Sequence, residues 1–179
     1  MVYLFLAQGF EEVEAITPLD LLRRAGAEVK TVGIGGRRVT GSHGVEVTAD
    51  LEEGQIDLQS VEMVILPGGM PGTKNLEDSP IVRASIGYCA QNGKKIAAIC
   101  AAPSILGHMD LLSGHAAVCF PGYEKDLTGA EVKSDPVCVS GNVITARGAG
   151  VALPFGLKLV EELFGAQKSE EIREKVQCV

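Results

Sequence analysis

The stretch Lys94-Lys95-Ile96-Ala97-Ala98-Ile99-Cys100-Ala101-Ala102-Pro103-Ser104 changes character at its midpoint. Its first half is an unbroken apolar run behind Gly93 and two lysines, the pattern of a central strand buried on both faces of a parallel sheet. Its second half is small or φ-restricted. Pro is best tolerated in the first turn of a helix, where its missing N–H would be unpaired anyway. Cys100 therefore falls at a strand-to-helix turn, flanked at two-residue spacing by Ala98 and Ala102. A sharp turn with small neighbours is what lets a nucleophilic atom stand clear of the sheet. The same segment also fits a buried cysteine acting as a small hydrophobe.

Outward from this elbow the chain alternates strands and helices. Met1 to Ala7 reads as a first strand, and Gln8-Gly9-Phe10-Glu11-Glu12-Val13-Glu14 as a Gly turn into a helix whose acidic first turn complements the positive end of the helix dipole. That helix runs to Arg23-Arg24-Ala25-Gly26. Pro18 lies inside it, and the N–H it lacks would have met the carbonyl of Glu14, so a bend beside Glu14 is expected. Residues 28–32 and 45–49 read as strands. The glycine-rich Gly33 to Gly44 between them leads into β-prone residues and not into a helix, which favours a hairpin over a phosphate loop. Val61 to Leu66 is another buried strand, ended by Pro67-Gly68-Gly69-Met70-Pro71-Gly72. Helices are expected around 75–77, 80–92 and from the elbow to about Met109, and short strands at 116–120 and 143–146. A helix from about Gly150 carries Val151, Phe155, Leu159 and Leu163, and a charged helix follows over 169–176. This is the pattern of one doubly wound α/β domain, 1–179, with helices on both faces of a mostly parallel sheet.

Composition agrees. With 179 residues one core is expected, and aromatic residues at 4% without Trp leave it to Val, Ile, Leu and Ala. A formal net charge of −7 argues against non-specific binding to nucleic acid or anionic membranes. Five cysteines without paired spacing suggest free thiols in a reducing, cytoplasmic setting. The apolar opening lacks a basic lead and soon meets Glu11, so it reads as a strand and not a signal peptide. Three scattered histidines offer no metal-ligand spacing, and no metal or cofactor is expected.

In a doubly wound sheet, sites form at the carboxyl ends of parallel strands. Gly9 to Glu14, Pro67 to Gly72 and Cys100 all fall at such ends. Helix N-terminal N–H groups would lower the Cys100 pKa. N–H groups of Ala101 and near Gly68 and Gly69 would hold a developing oxyanion. A poorly hydrated Glu14 beside a thiolate would keep its proton. Glu14 also reads as an ordinary solvent-facing helix residue.

Gly9-Phe10-Glu11-Glu12-Val13-Glu14, Leu66-Pro67-Gly68-Gly69, Ala97-Ala98-Ile99-Cys100-Ala101-Ala102-Pro103 and Ala146-Arg147-Gly148-Ala149-Gly150, in that order, resemble the ThiJ/PfpI superfamily. Within it they are most similar to the branch of the parkinsonism-associated deglycase and YajL. The resemblance spans essentially the whole chain. It implies a flavodoxin-like fold, a homodimer, Cys100 as nucleophile, Glu14 as its partner and oxyanion donors at Gly69 and Ala101. It also places Arg147, Arg24 and the hairpin of His43 near the site, as substrate or dimer contacts. Two departures narrow the chemistry. Peptidase members carry His directly after the cysteine, where this chain has Ala101. Human-type proteins carry His before Pro121, where this chain, like YajL, has Phe120. His43 stands where the branch usually has Arg. The implied activity is cofactor-independent conversion of small dicarbonyls, or repair of early glycation adducts. The rival is a redox sensor or chaperone working through oxidation of Cys100 ahead of Cys89, Cys119, Cys138 and Cys178. His108 and His115 match no catalytic position.

Overall fold

The structure is a computed structural model that describes residues 1–178. Strand β1 (Val2–Leu6) leads through Gly9 into α1 (Glu12–Arg24), then β2 (Val29–Gly33), a hairpin of β3 (Arg38–Thr40) and β4 (Glu46–Thr48), and the short β5 (Leu51–Glu52). Two 3-10 turns precede β6 (Met63–Leu66), which is followed by α2 (Gly72–Asp78), α3 (Pro80–Gln91), β7 (Lys95–Ile99) and α4 (Pro103–His108). The last third holds β8 (Ala116–Ala117), β9 (Glu131–Val132), β10 (Val137–Ser140), β11 (Val143–Ala146), α5 (Ala152–Phe164) and α6 (Ala166–Lys175).

Seven strands form one sheet in the order β10-β11-β7-β6-β1-β2-β5. All neighbours are parallel except β10 on β11. The order β2-β1-β6-β7-β11 is that of a flavodoxin-like sheet, and its winding reverses between β1 and β6. The crevice beyond that reversal is where Gly9 to Glu14 meets Pro67 to Gly69.

Alternation along β1 makes the two-sided core explicit. Val2, Leu4 and Leu6 pack with Leu21 and Leu22 of α1, Phe155 and Leu159 of α5 and Ile172 of α6. Tyr3 and Phe5 turn to the other face, against Leu76, Val82, Ile86, Ile105 and Leu106 of α2, α3 and α4. Burying such side chains contributes roughly 1.5–3 kcal/mol each. This double burial is why the strands read as continuous apolar runs. The interior Pro18 leaves α1 uninterrupted. Pro18 is buried where α1 crosses α5, and Gly156 permits the approach, since a Cβ there would come within 3.0 Å of the Pro18 Cα.

The expected strand over 116–120 shortens to Ala116–Ala117. Beyond it the Val118 N–H bonds to the Thr145 hydroxyl and the Phe120 N–H to the Cys100 carbonyl. The backbone leaves the ladder because it bonds to the elbow instead.

Candidate active site

Cys100 adopts a left-handed conformation, φ 67°, which a side chain bearing Cβ rarely takes. Two hydrogen bonds hold it there. Its N–H donates to the Ala146 carbonyl at 2.9 Å, and its own carbonyl accepts from the Phe120 N–H at 2.8 Å. The elbow is thus pinned from β11 on one side and from the segment after β8 on the other.

Glu14 reaches the same point from the first turn of α1. It is 1% exposed, and its Oε2 accepts the Gly68 N–H at 2.9 Å. A Cβ on Gly68 would lie 2.6 Å from both the Cys100 Cβ and the Glu14 Oε2, so only glycine lets the three segments close on each other. Gly69, φ 89°, turns the chain so that its N–H, with that of Ala101, faces the Cys100 thiol. The Gly68 N–H is therefore not an oxyanion donor, because it orients the Glu14 carboxyl.

The electrostatics agree in direction with the sequence expectation for Glu14 and reverse it for Cys100. Burial pushes Glu14 up to about 7 against the opposing hydrogen bonds from the Cys100 thiol and Gly68, and the Glu11 charge adds to the rise. Burial also pushes Cys100 up, to about 12, reinforced by the negative charge and hydrogen bond of Glu14; the Ala101 and Gly69 N–H groups pull the other way and are outweighed. The helix that was to depress the thiol is the six-residue α4, which starts only at Pro103. Near neutral pH the thiol keeps its proton, and the fraction of Glu14 that is ionised can act as its base. Each ionisation depends on the other, so the two groups act as a unit.

A model of the DJ-1/PfpI family matches residues 1–162. The chain belongs to this family. It is 37% identical over 170 residues to protein dj-1beta of Drosophila melanogaster, covering 93% of this chain and 91% of that one. It is 29% identical over 163 residues to the glutathione-independent glyoxalase DJR-1.2 of Caenorhabditis elegans, with 90% and 87% covered. The solved structure of oxidized Toxoplasma gondii DJ-1 superposes with a TM-score of 0.94 at 34% identity, covering 98% of this chain and 97% of that chain. The DJ-1/PfpI family thus includes a relative named for glyoxalase activity.

The other residues singled out in the sequence of this DJ-1/PfpI member are more dispersed. Arg24 ends α1, about 15 Å of helix from Glu14, and pairs with Asp20 at 2.6 Å, so it does not enter the site of its own chain. Arg147 follows β11 and lines two adjoining surface cavities, one beside Cys119 and Lys133, the other beside Phe120 and Gly148. His43 sits at the tip of the β3–β4 hairpin and contacts Glu12 at 2.9 Å and Glu11 at 3.3 Å, not Cys100. His108 bonds to Glu77, and the His115 ring bonds to the Ser140 carbonyl, both away from the elbow. All five cysteines are free. Among the described residues, no helix is long and apolar enough to cross a membrane.

Sequence reading missed two features here. One is the role of Gly68 in orienting Glu14; the tandem glycine after β6 signalled close approach but not which group approaches. The other is the clustering of Glu11 and Glu12 with the hairpin tip, although three glutamates within four residues exceed what a helix start needs.

Proposed function

We propose that this protein is a cofactor-independent glyoxalase of small α-oxoaldehydes, with the Glu14–Cys100 pair as its catalytic unit. The supporting observation is a carboxyl group buried beside the thiol, with a pKa raised to about 7. A general base works best when its pKa lies near the operating pH.

With methylglyoxal, the Glu14 carboxylate takes the thiol proton as sulfur attacks the aldehyde carbon. The oxyanion forms against the N–H groups of Gly69 and Ala101 and is protonated to a hemithioacetal. Glu14 then removes the proton from the former aldehyde carbon and returns one to the neighbouring carbon. The ketone is thereby reduced and the hemithioacetal oxidised to a thioester within one molecule, so no external electron carrier is consumed. Water cleaves the thioester to lactate and free Cys100. Release of an early glycation adduct from an amine by the same thiol is the related reaction. Ala101 and Phe120, where His would be needed, argue against a Cys-His protease.

The homodimer belongs to the same proposal. Val13 and Ile16 leave apolar surface on α1, and Phe120 does so beside the site. Five free thiols favour a reducing compartment such as the cytoplasm.

The test is lactate formation from methylglyoxal by purified protein without added thiol or metal. An unchanged rate in Cys100→Ala sinks the mechanism. A second reading, redox sensing, is favoured by the two N–H groups facing the sulfur, which would also hold the oxygens of a sulfinate. Mass spectrometry after mild peroxide tests it: oxidation concentrated on Cys100 supports it, and equal oxidation of Cys89, Cys119, Cys138 and Cys178 removes it.

A further inference from the structure

Beside the pair, four side-chain atoms from two segments converge on one point. The Ser42 Oγ lies 3.2 Å from the Glu11 Oε2, 3.3 Å from the Glu12 Oε2 and 3.1 Å from the His43 Nδ1. The His43 Nδ1 lies 2.9 Å from the Glu12 Oε2 and 3.3 Å from the Glu11 Oε2. Donors held about 2.0 Å from a tetrahedral ion are separated by roughly 3.3 Å, which these distances approach. We propose that Glu11, Glu12 and His43, with Ser42 or a water as fourth donor, form a surface site for a tetrahedral divalent cation, zinc by its donor set.

Groups outside the cluster prepare it. The Glu12 Oε1 accepts the backbone N–H of His43 at 2.8 Å and of Val45 at 3.4 Å, and the Glu11 Oε1 accepts that of Val13 at 3.4 Å. Each carboxylate is thus tied by one oxygen and presents the other to the shared point, the outer support that orients metal ligands. Gly41 gives Glu12 its room, since a Cβ there would lie 2.4 Å from the carboxylate. The carboxylate side chains are 15% and 12% exposed, so their oxygens are largely fixed, while the imidazole is 72% exposed in the single chain, on the hairpin that the resemblance gives as a substrate or dimer contact. Imidazole with carboxylates suits zinc better than the all-oxygen surroundings of magnesium or calcium. A bound ion would clip the hairpin tip to the start of α1. The inference does not depend on the glyoxalase reading.

The experiment titrates metal-stripped protein with zinc by calorimetry and with cobalt, a spectroscopic substitute, by absorption. The expected result is one ion per chain, with cobalt bands of a tetrahedral site that lack thiolate charge transfer. His43→Ala and Glu12→Gln, each shown to be folded by circular dichroism, should lose at least about tenfold in affinity, and Cys100→Ser should lose none. Wild-type affinity in His43→Ala overturns the site. So does binding abolished by Cys100→Ser, no binding at all, or displacement of zinc by equimolar magnesium.

Discussion

Glu12 and Glu14 stand two residues apart on the first turn of α1, and their environments drive them in opposite directions. Burial raises Glu14 to about 7. Burial also works to raise Glu12, but hydrogen bonds from the His43 ring and from the N–H groups of His43 and Val45 outweigh it and hold Glu12 at about 2. The same residue type is thus a proton acceptor tuned to neutral pH on one side of the turn and a fixed charge on the other. The number and polarity of donors aimed at each carboxylate make the difference.

The comparison is broken most directly at Glu14. Glu14→Gln keeps an acceptor for Gly68 but cannot take the thiol proton, so lactate formation should fall by roughly 10²–10⁴-fold, the usual worth of a general base. In the wild type, kcat/KM should rise with pH through about 7 as Glu14 loses its proton, and in Glu14→Gln that inflection should vanish. A pH profile unaltered in the variant would remove the base role from Glu14.

The second break is thermodynamic. The Glu14 pKa is raised from 4.5 in an ordinary setting to about 7 when folded. The unfolded chain then ionises first, and stability is lost as pH rises from about 4.5 to 7. The loss approaches roughly 3 kcal/mol at 1.36 kcal/mol per pKa unit. Urea denaturation at pH 5 and pH 8 should therefore show Glu14→Gln gaining on the wild type at the higher pH. An equal difference at both values would mean that burial does not disfavour the charge.

Gly68→Ala probes the closure itself. The added Cβ meets the Cys100 Cβ and the Glu14 carboxylate at 2.6 Å, and overpacking of this kind costs about 1–3 kcal/mol. Thermal unfolding should show that loss together with reduced turnover. Unchanged activity would mean that the pair tolerates separation.

Glu12 should give the smallest effect and the opposite sign. Its depressed pKa supplies stability above about pH 4.5 that is lost as pH falls towards 2. Solvent around His43 screens the pair, so Glu12→Gln should cost no more than about 1 kcal/mol at pH 7. Acid titration of both variants, followed by circular dichroism, should show their differences from the wild type running in opposite directions with pH.

Much of the scaffold was legible because local rules govern it. The apolar runs that became β1, β6 and β7 read as doubly buried strands, whereas the hairpin expected between residues 28–32 and 45–49 forms instead between β3 and β4, because β2 pairs with β1 and β5 in the main sheet. Cys100 stood out through its small neighbours and Pro103. Other expectations failed for stated physical reasons. The thiol was expected to be depressed by helix N–H groups, but burial and Glu14 prevail. The strand over 116–120 gave up its ladder because the elbow needed the Phe120 N–H.

The sequence alone determined the central core strands and that a small-flanked cysteine ends one of them, since apolar runs and turn chemistry act over a few residues. Only the tertiary structure decided that the Gly68 N–H belongs to Glu14, that His43 meets Glu11 and Glu12, and that two glutamates on one helical turn hold their protons so differently. Proton affinity is set by burial and by donors arriving from distant segments, and those meet only when the sheet has brought the strand ends to one edge.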